Sequence, residues 1–185
     1  MARQERADPT RESVGRVTLA GHPWWLLPVN IVAWGIAHAA TGYAAHRLPA
    51  RMCDRDNWLT RSPHPDRTER RCRLFGVPRW KDSLPEAGAF FAGGVSKRHL
   101  TGTGNDALRE FASLTRRAEM AHWMAFLVAP LFALWNPPSI ALLMVVYGAL
   151  VNAPFIAIQR YNRVRVRRIL SRREAASAGP SPERG

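Results

Sequence analysis

Two long stretches of this chain contain no charged side chain, and nearly all of the charged residues lie outside them. Residues 17–46 and residues 120–159 lack Lys, Arg, Asp and Glu altogether. A water-soluble domain interleaves charged and apolar positions at the period of a strand or of a helix. The segregated pattern therefore predicts helices embedded in a membrane, although the mean hydropathy of the whole chain is only −0.23.

The first charge-free stretch predicts one membrane-spanning helix over residues 23–46. A helix needs roughly 20 mostly apolar residues to cross about 30 Å of hydrocarbon, and Trp24 with Trp25 at its start is typical of an interfacial aromatic belt. Asn30, His38, Thr41 and His46 interrupt its apolar surface, so we expect it to pack against other helices. A cleaved signal peptide is the alternative, but the charged segment before this stretch is unusually long for one.

The second charge-free stretch, residues 120–159, predicts a helical membrane hairpin. Asn136-Pro137-Pro138 interrupts it, and a proline removes a backbone donor and disfavours helix at the residue before it. The first arm is short, so its helix is predicted to begin earlier, near Asp106. The second arm is predicted to kink at Asn152-Ala153-Pro154.

The charges between and after these helices predict the orientation. Residues 1–22 carry a net charge of +1, whereas residues 47–119 and residues 160–185 each carry +6. Cytoplasmic loops of membrane proteins are enriched in Lys and Arg. The sequence thus predicts an all-α integral membrane protein with about three transmembrane helices, an external N-terminal arm, a cytoplasmic interfacial segment at 47–119 and a basic, partly disordered cytoplasmic tail at 160–185.

The basic excess, a formal net charge of +13 with 27 Lys and Arg, has two interpretations. Nucleic-acid binding would fit the charge, but the chain has no zinc finger and no aromatic RNA-binding signature. Arginines next to a membrane helix attract anionic lipid, and the run that starts at Arg160 follows the last predicted span directly. We therefore predict membrane lipid, and no nucleic acid, as the partner of this charge.

The most specific candidate for chemistry is the pair Glu119 and His122, in the segment Arg-Arg-Ala-Glu-Met-Ala-His-Trp that begins at Arg116. Residues three apart share one face of a helix, and this helix enters the predicted membrane here. A histidine can take a proton from a hydroxyl while a carboxylate fixes its tautomer. The alternative is a Glu–Arg ion pair beside a histidine that only anchors the helix.

Other polar segments are weaker candidates for ligand binding. Adjacent glycines at 93–94 precede two cations that could hold a phosphate, but the spacing is not that of a P-loop, and a tight turn at the lipid surface is equally compatible. Neither the separated cysteines nor His38 and His46 have the spacing of a metal site, and no cofactor is predicted. The predicted substrate-binding residues are Trp80, Lys81, Asp82, Lys97, Arg98, Arg117, Arg160, Tyr161, Asn162 and Arg163.

With these residues in view, the chain resembles the glycosyl-4,4'-diaponeurosporenoate acyltransferases, a small membrane family of staphyloxanthin-type carotenoid biosynthesis. Three segments carry the resemblance: Val-Pro-Arg-Trp-Lys-Asp from Val77, Arg-Ala-Glu-Met-Ala-His-Trp from Arg117, and Asn-Ala-Pro-Phe-Ile-Ala-Ile-Gln-Arg-Tyr-Asn-Arg-Val-Arg from Asn152. The similarity runs from about Leu74 to Leu170. Val164 departs from the family pattern, which has proline there.

The resemblance implies transfer of a fatty acyl group, from acyl-CoA or acyl carrier protein, onto a sugar hydroxyl of a glycosylated carotenoid or a related glycolipid. In this interpretation His122 is the base, Glu119 orients it, and Lys81, Arg117 or Asn162 donate to the oxyanion. The alternative from another class is a non-catalytic membrane scaffold of a lipid or pigment pathway, which would not need His122.

Overall fold

A computed structural model describes residues 23–62, 64–83 and 104–177, and every regular element in these ranges is helical. The all-α prediction is therefore confirmed for this part of the chain. The elements are the α-helices α1 (Leu26–Arg47), α2 (Ala50–Cys53), α3 (Pro65–Leu74), α4 (Val77–Trp80), α5 (Asn105–Val128) and α6 (Pro138–Ser177), with 3-10 helices at Lys81–Ser83 and Ala129–Leu134.

Helix α1 covers most of the segment that was predicted as the first span. Its buried residues recur three or four positions apart and form one stripe, as in any helix that packs on one side. The polar Asn30 and Thr41 both belong to this stripe. The helix packs on the hairpin through these two residues, as predicted, whereas His38 is half-buried and His46 is exposed.

The helical hairpin also agrees with the sequence. Helix α5 begins at Asn105, as predicted, and continues through the 3-10 helix Ala129–Leu134 to a turn at Asn136. Helix α6 begins at Pro138 and runs for 40 residues. Pro154 lies inside α6 without ending it. The arginine-rich segment that follows Gln159 therefore continues the same helix as the apolar arm.

The apolar end of the bundle is held by close packing of α1 on the hairpin. Trp34 stacks on Phe132 with 4.7 Å between ring centroids. A Cβ added to Gly148 would lie 3.0 Å from both Trp34 and Ala129, so any larger residue would force these neighbours to shift. Asn30 forms two reciprocal amide hydrogen bonds of 2.9 Å with a residue of the hairpin turn, Asn136.

The other end of the bundle carries the charged residues. Helix α5 packs along α6, and α3 packs on α6 from another side. Cys72 and Val77 form a small core with Ile158 and Tyr161 there. Residues 54–62 lie over the junction of α5 and α6, where Thr60 is fully buried.

Within the described ranges one helix, α6, is long and apolar enough to cross a membrane. The three-span topology is therefore not confirmed. Only 22% of the apolar window of α6 is buried in the protein, and large apolar side chains of α1 and of the hairpin are exposed as well. The most exposed of these are Leu27, Ile31, Val32, Ile36, Leu127, Leu134, Leu142 and Leu150.

Candidate active site

Glu119 lies at the centre of a buried ion cluster between α5 and α6. Its side chain is 0% exposed. Arg160 Nε donates to one carboxylate oxygen at 2.6 Å, and Arg163 Nη2 donates to the other at 2.6 Å. Trp123 Nε1 donates to the first oxygen at 3.3 Å. The carboxylate therefore joins two turns of α6 to one turn of α5.

A second carboxylate extends this cluster toward the segment that follows α2. Asp56 accepts from Arg116 Nε at 2.7 Å and from Arg167 Nη2. Arg163 Nε lies 3.7 Å from the same carboxylate. We call these six side chains the ion cluster: Asp56, Arg116, Glu119, Arg160, Arg163 and Arg167.

Backbone carbonyl groups complete the cluster. Leu59 accepts from Arg160 at 2.9 Å, Thr60 accepts from Arg163, and Cys53 accepts from Arg116 at 3.2 Å. Buried charges require such partners, because an unpaired ion in a low-dielectric interior costs several kcal/mol. The cluster thus fixes residues 53–60 over the end of the bundle.

The protonation states follow from these contacts. Burial alone would raise the pKa of the Asp56 carboxyl, but the hydrogen bonds and positive charges of Arg116 and Arg167 outweigh burial and hold its pKa below the ordinary value. Burial raises the pKa of the Cys53 thiol. That thiol is therefore protonated and a poor nucleophile.

His122 lies one turn along α5 from Glu119, on the apolar side of the ion cluster. Its ring stacks on Phe155 of α6, with 4.6 Å between centroids and 8° between planes. Its Nδ1 lies 3.0 Å from Oδ1 of Asn152. The sequence analysis gave the orienting role to Glu119, whereas the hydrogen bond observed at Nδ1 is with Asn152.

The hydrogen bonds of Asn152 favour one tautomer of a neutral His122 ring. The Asn152 side-chain nitrogen donates to the carbonyl of Gly148 at 2.9 Å, so its oxygen faces the imidazole as an acceptor. In a neutral imidazole, the nitrogen that faces an acceptor carries the hydrogen. Nδ1 is then the donor, and the lone pair resides on Nε2. This arrangement suits a general base that acts through Nε2.

The structure brings together four of the predicted site residues, namely Glu119, His122, Arg160 and Arg163. The arginine partners of Glu119 come from α6 and not from the neighbouring Arg116 and Arg117. Arg117 instead donates to the last carbonyls of α1, Ala45 at 3.0 Å and His46 at 2.6 Å, which closes the C-terminus of that helix.

The remaining predicted binding residues lie elsewhere. Trp80 packs on the core that contains Tyr161. At 3.6 residues per turn, the side of α6 that carries Tyr161 is opposite the side that carries Asn152 and Arg160. Lys81 pairs with Asp82 at 2.5 Å. Asn162 is half-buried. Lys97 and Arg98 lie outside the described residues.

Sequence reasoning missed Asp56, Asn152 and Phe155 as members of the site. Asn152 was detectable, because a polar side chain in an otherwise apolar membrane segment often marks function. Asp56 gave no such signal, since it is one of many charges in a polar segment. Among the described residues, no group of three His, Cys, Asp or Glu side chains lies close enough to hold a metal ion.

Comparison with known proteins gives one family. Residues 52–172 match the family model described as glycosyl-4,4'-diaponeurosporenoate acyltransferase. Proteins of that name from Staphylococcus aureus strains RF122 and USA300 are each 31% identical to the chain over 98 residues, which cover 53% of this chain. The match spans 59% of the length of these relatives. No solved structure matches the chain significantly.

Proposed function

Because two thirds of this chain match its family model, the chain belongs to the glycosyl-4,4'-diaponeurosporenoate acyltransferase family, and we propose that it is a membrane-bound acyltransferase. Its acceptor is a sugar hydroxyl of a glycosylated carotenoid or of a related glycolipid. Its donor is an acyl thioester, either acyl-CoA or acyl carrier protein. The observation that supports this proposal best is the 3.0 Å contact between His122 Nδ1 and the side-chain oxygen of Asn152, which favours the tautomer with its lone pair on Nε2.

In the proposed reaction Nε2 of His122 takes the proton of the sugar hydroxyl while the oxygen attacks the acyl carbonyl. The tetrahedral intermediate then collapses, the carbon–sulfur bond breaks, and the imidazolium returns the proton to the departing thiolate. The products are the ester and a free thiol. A general base of this kind contributes about 10²–10⁴ in rate.

The ion cluster supplies a positive field beside this base. It contains four arginines and two carboxylates, all at the junction of α5 and α6. The side chain of Arg160 is 30% exposed and its guanidinium lies 5.9 Å from the ring of Trp123, the residue after His122, so it is the member best placed to donate to a developing oxyanion. Glu119 holds Arg160 in position through Nε and contributes to catalysis indirectly.

The proposed membrane location rests on the distribution of apolar surface. The exposed leucines and isoleucines of α1, of the hairpin turn and of the first half of α6 would face lipid. The arginines after Gln159 would face anionic headgroups of the cytoplasmic leaflet. His122 lies three residues, or about 4.5 Å of helix rise, deeper than Glu119. A sugar headgroup held at the interface can reach that depth.

The test replaces His122 with alanine and measures acyl transfer in membranes that contain the acceptor. We expect a loss of about 10²–10⁴ in rate with normal protein level and membrane insertion. His46→Ala is the matched control, because His46 is exposed near the end of α1 and should retain parental activity. A folded His122→Ala protein that acylates at the parental rate would eliminate this mechanism, and a deletion strain with unchanged lipids would favour a scaffold.

A further inference from the structure

The corner between α3 and α4 exposes two adjacent large apolar side chains. Leu74 is 80% exposed and Phe75 is 78% exposed. Gly76 follows with a φ of +67°, a conformation that glycine adopts without strain, and turns the chain directly into α4. We call Leu74 and Phe75 the α3–α4 corner. Because burial of such side chains is favourable, their joint exposure at a tight turn indicates an external partner.

The contacts of α3 fix the position of this corner along α6. At the start of α3, Asp66 accepts from Arg168 at 2.8 Å. Near its end, Cys72 Sγ lies 3.9 Å from the carbonyl oxygen of Ala157. Helix α3 therefore runs antiparallel to α6, from the arginine-rich half toward the apolar half.

The depth of the corner follows from helix geometry. A helix rises about 1.5 Å per residue. Along α6, Ala157 therefore lies about 3 Å farther into the apolar half than Gln159, the last residue of the apolar arm. Leu74 and Phe75 continue about 3–4.5 Å beyond Cys72 in the same direction. The corner thus lies about 6 Å below the boundary, within the 5–10 Å depth to which interfacial apolar faces insert.

The charges around the corner favour an anionic surface. The exposed side chains nearest to it in the chain are basic, with Arg70, Arg71 and Arg73 before it and Arg79 after it. The acidic residues of α3, Asp66 and Glu69, bind Arg168 at 2.8 Å and 2.6 Å. Arg73 binds Glu69 at 2.7 Å as well, which leaves Arg70, Arg71 and Arg79 as the basic side chains beside the apolar tip, and such charges complement an anionic lipid leaflet.

We propose that the α3–α4 corner is a membrane-inserted wedge that places Leu74 and Phe75 among the acyl chains of an anionic leaflet, with Arg70, Arg71 and Arg79 at the headgroups. This inference rests on the proposed membrane-bound function, because it uses the apolar half of α6 as its reference level.

The test measures the depth of single labels on the full-length protein, reconstituted in phosphatidylglycerol vesicles that contain nitroxide-labelled lipid. An environment-sensitive fluorophore is attached to an engineered cysteine at Phe75, at Leu150 or at Asp66. The native Cys53 and Cys72 are 0% and 8% exposed, so the parent protein, treated identically, gives the background. Leu150 reports the embedded helix, and Asp66 reports the start of α3.

We expect the label at Phe75 to be quenched by nitroxide lipid as strongly as the label at Leu150, and several-fold more than the label at Asp66. Quenching at Leu150 without quenching at Phe75 would overturn the wedge and leave the membrane-bound function intact. Absence of quenching at Leu150 would contradict both. A label at Phe75 shielded from lipid and from aqueous iodide alike would indicate a protein partner and also overturn the wedge.

A second arm tests the arginines. Neutralising Arg70 and Arg71 to glutamine should reduce quenching at Phe75 in phosphatidylglycerol vesicles, because each basic side chain near an anionic surface changes its partition about fivefold. In neutral phosphatidylcholine vesicles the same variant should resemble its parent. An equal reduction in both lipids would show that the arginines act by packing, and would contradict the headgroup contacts.

Discussion

Replacing Glu119 with glutamine removes one charge from the ion cluster with almost no change in shape. The carboxylate is 0% exposed and binds two guanidinium groups at 2.6 Å each. Glutamine keeps one oxygen acceptor, but its amide nitrogen would then face an arginine donor. Arg163, whose side chain is 1% exposed, has no access to water with which to replace the lost partner.

The expected cost is large relative to total stability. Removing one partner of a buried ion pair destabilises a protein by about 3–5 kcal/mol, and domains are stable by only about 5–15 kcal/mol. The Asp56 carboxylate remains 3.7 Å from Arg163 and still compensates part of the positive charge of that arginine. We therefore expect a loss of about 3 kcal/mol in the free energy of unfolding.

The assay is the unfolding of purified protein in detergent micelles, with activity measured in parallel. Glu110→Gln is the matched control, because Glu110 is an exposed glutamate on the same helix and surface changes of this kind cost about 0.5 kcal/mol or less. His122→Ala should cost about 1–3 kcal/mol in stability, because the buried Asn152 oxygen loses its partner, and it should lie far below the control in activity. Glu119→Gln should show the reverse order, with stability as its main loss.

One result would refute this reasoning directly. If Glu119→Gln unfolds at the same denaturant concentration as Glu110→Gln yet loses acyl transfer as fully as His122→Ala, then Glu119 acts in the chemical step. The ion cluster would in that case be a catalytic group and not the support that its contacts indicate.

Three further predictions concern single residues. Gly148→Ala should lower the melting temperature, because the added Cβ would lie 3.0 Å from two packed side chains and overpacking costs about 1–3 kcal/mol; Gly35→Ala, which meets no atom within 4 Å, is its control. Asn136→Ala should cost about 1–3 kcal/mol in the free energy of unfolding, because the buried Asn30 Nδ2 loses its acceptor. The pKa of Asp56 is lowered in the folded protein. Its stabilising contribution is therefore complete when the pH is above the ordinary carboxyl pKa, and it is lost as the pH falls through the lowered pKa of the folded protein. Acid titration of unfolding should therefore be shallower for Asp56→Asn, and a parallel titration would contradict the ion pairs.

The helices were predictable because their signals are local. The absence of charge over residues 120–159 and the prolines at 137–138 determine the hairpin, and backbone chemistry alone explains the break. The extension of α6 to Ser177 was not predicted. Arginine is a good helix former, but its abundance after Gln159 indicated a tail more strongly than a helix.

The site was predictable only where its residues are neighbours on one helix. Glu119 and His122 are three residues apart, and their periodicity placed them on one face. The partners of Glu119 lie 41 and 44 residues away, and Asp56 reaches its partners over 60 and 111 residues. Such pairs depend on how α5 and α6 cross, which no pattern within a single segment specifies.

The reciprocal amide pair between Asn30 and Asn136 has a consequence for biogenesis. In a bilayer, each of the two side-chain amides would cost several kcal/mol as long as it lacked the other as its hydrogen-bond partner. The two residues are 106 positions apart in the chain. At about 5–20 residues per second, synthesis leaves α1 without its partner for about 5–20 s. If α1 enters the membrane as proposed, we expect the insertion machinery, rather than lipid, to hold it during this interval, and its release into the bilayer to await the hairpin turn.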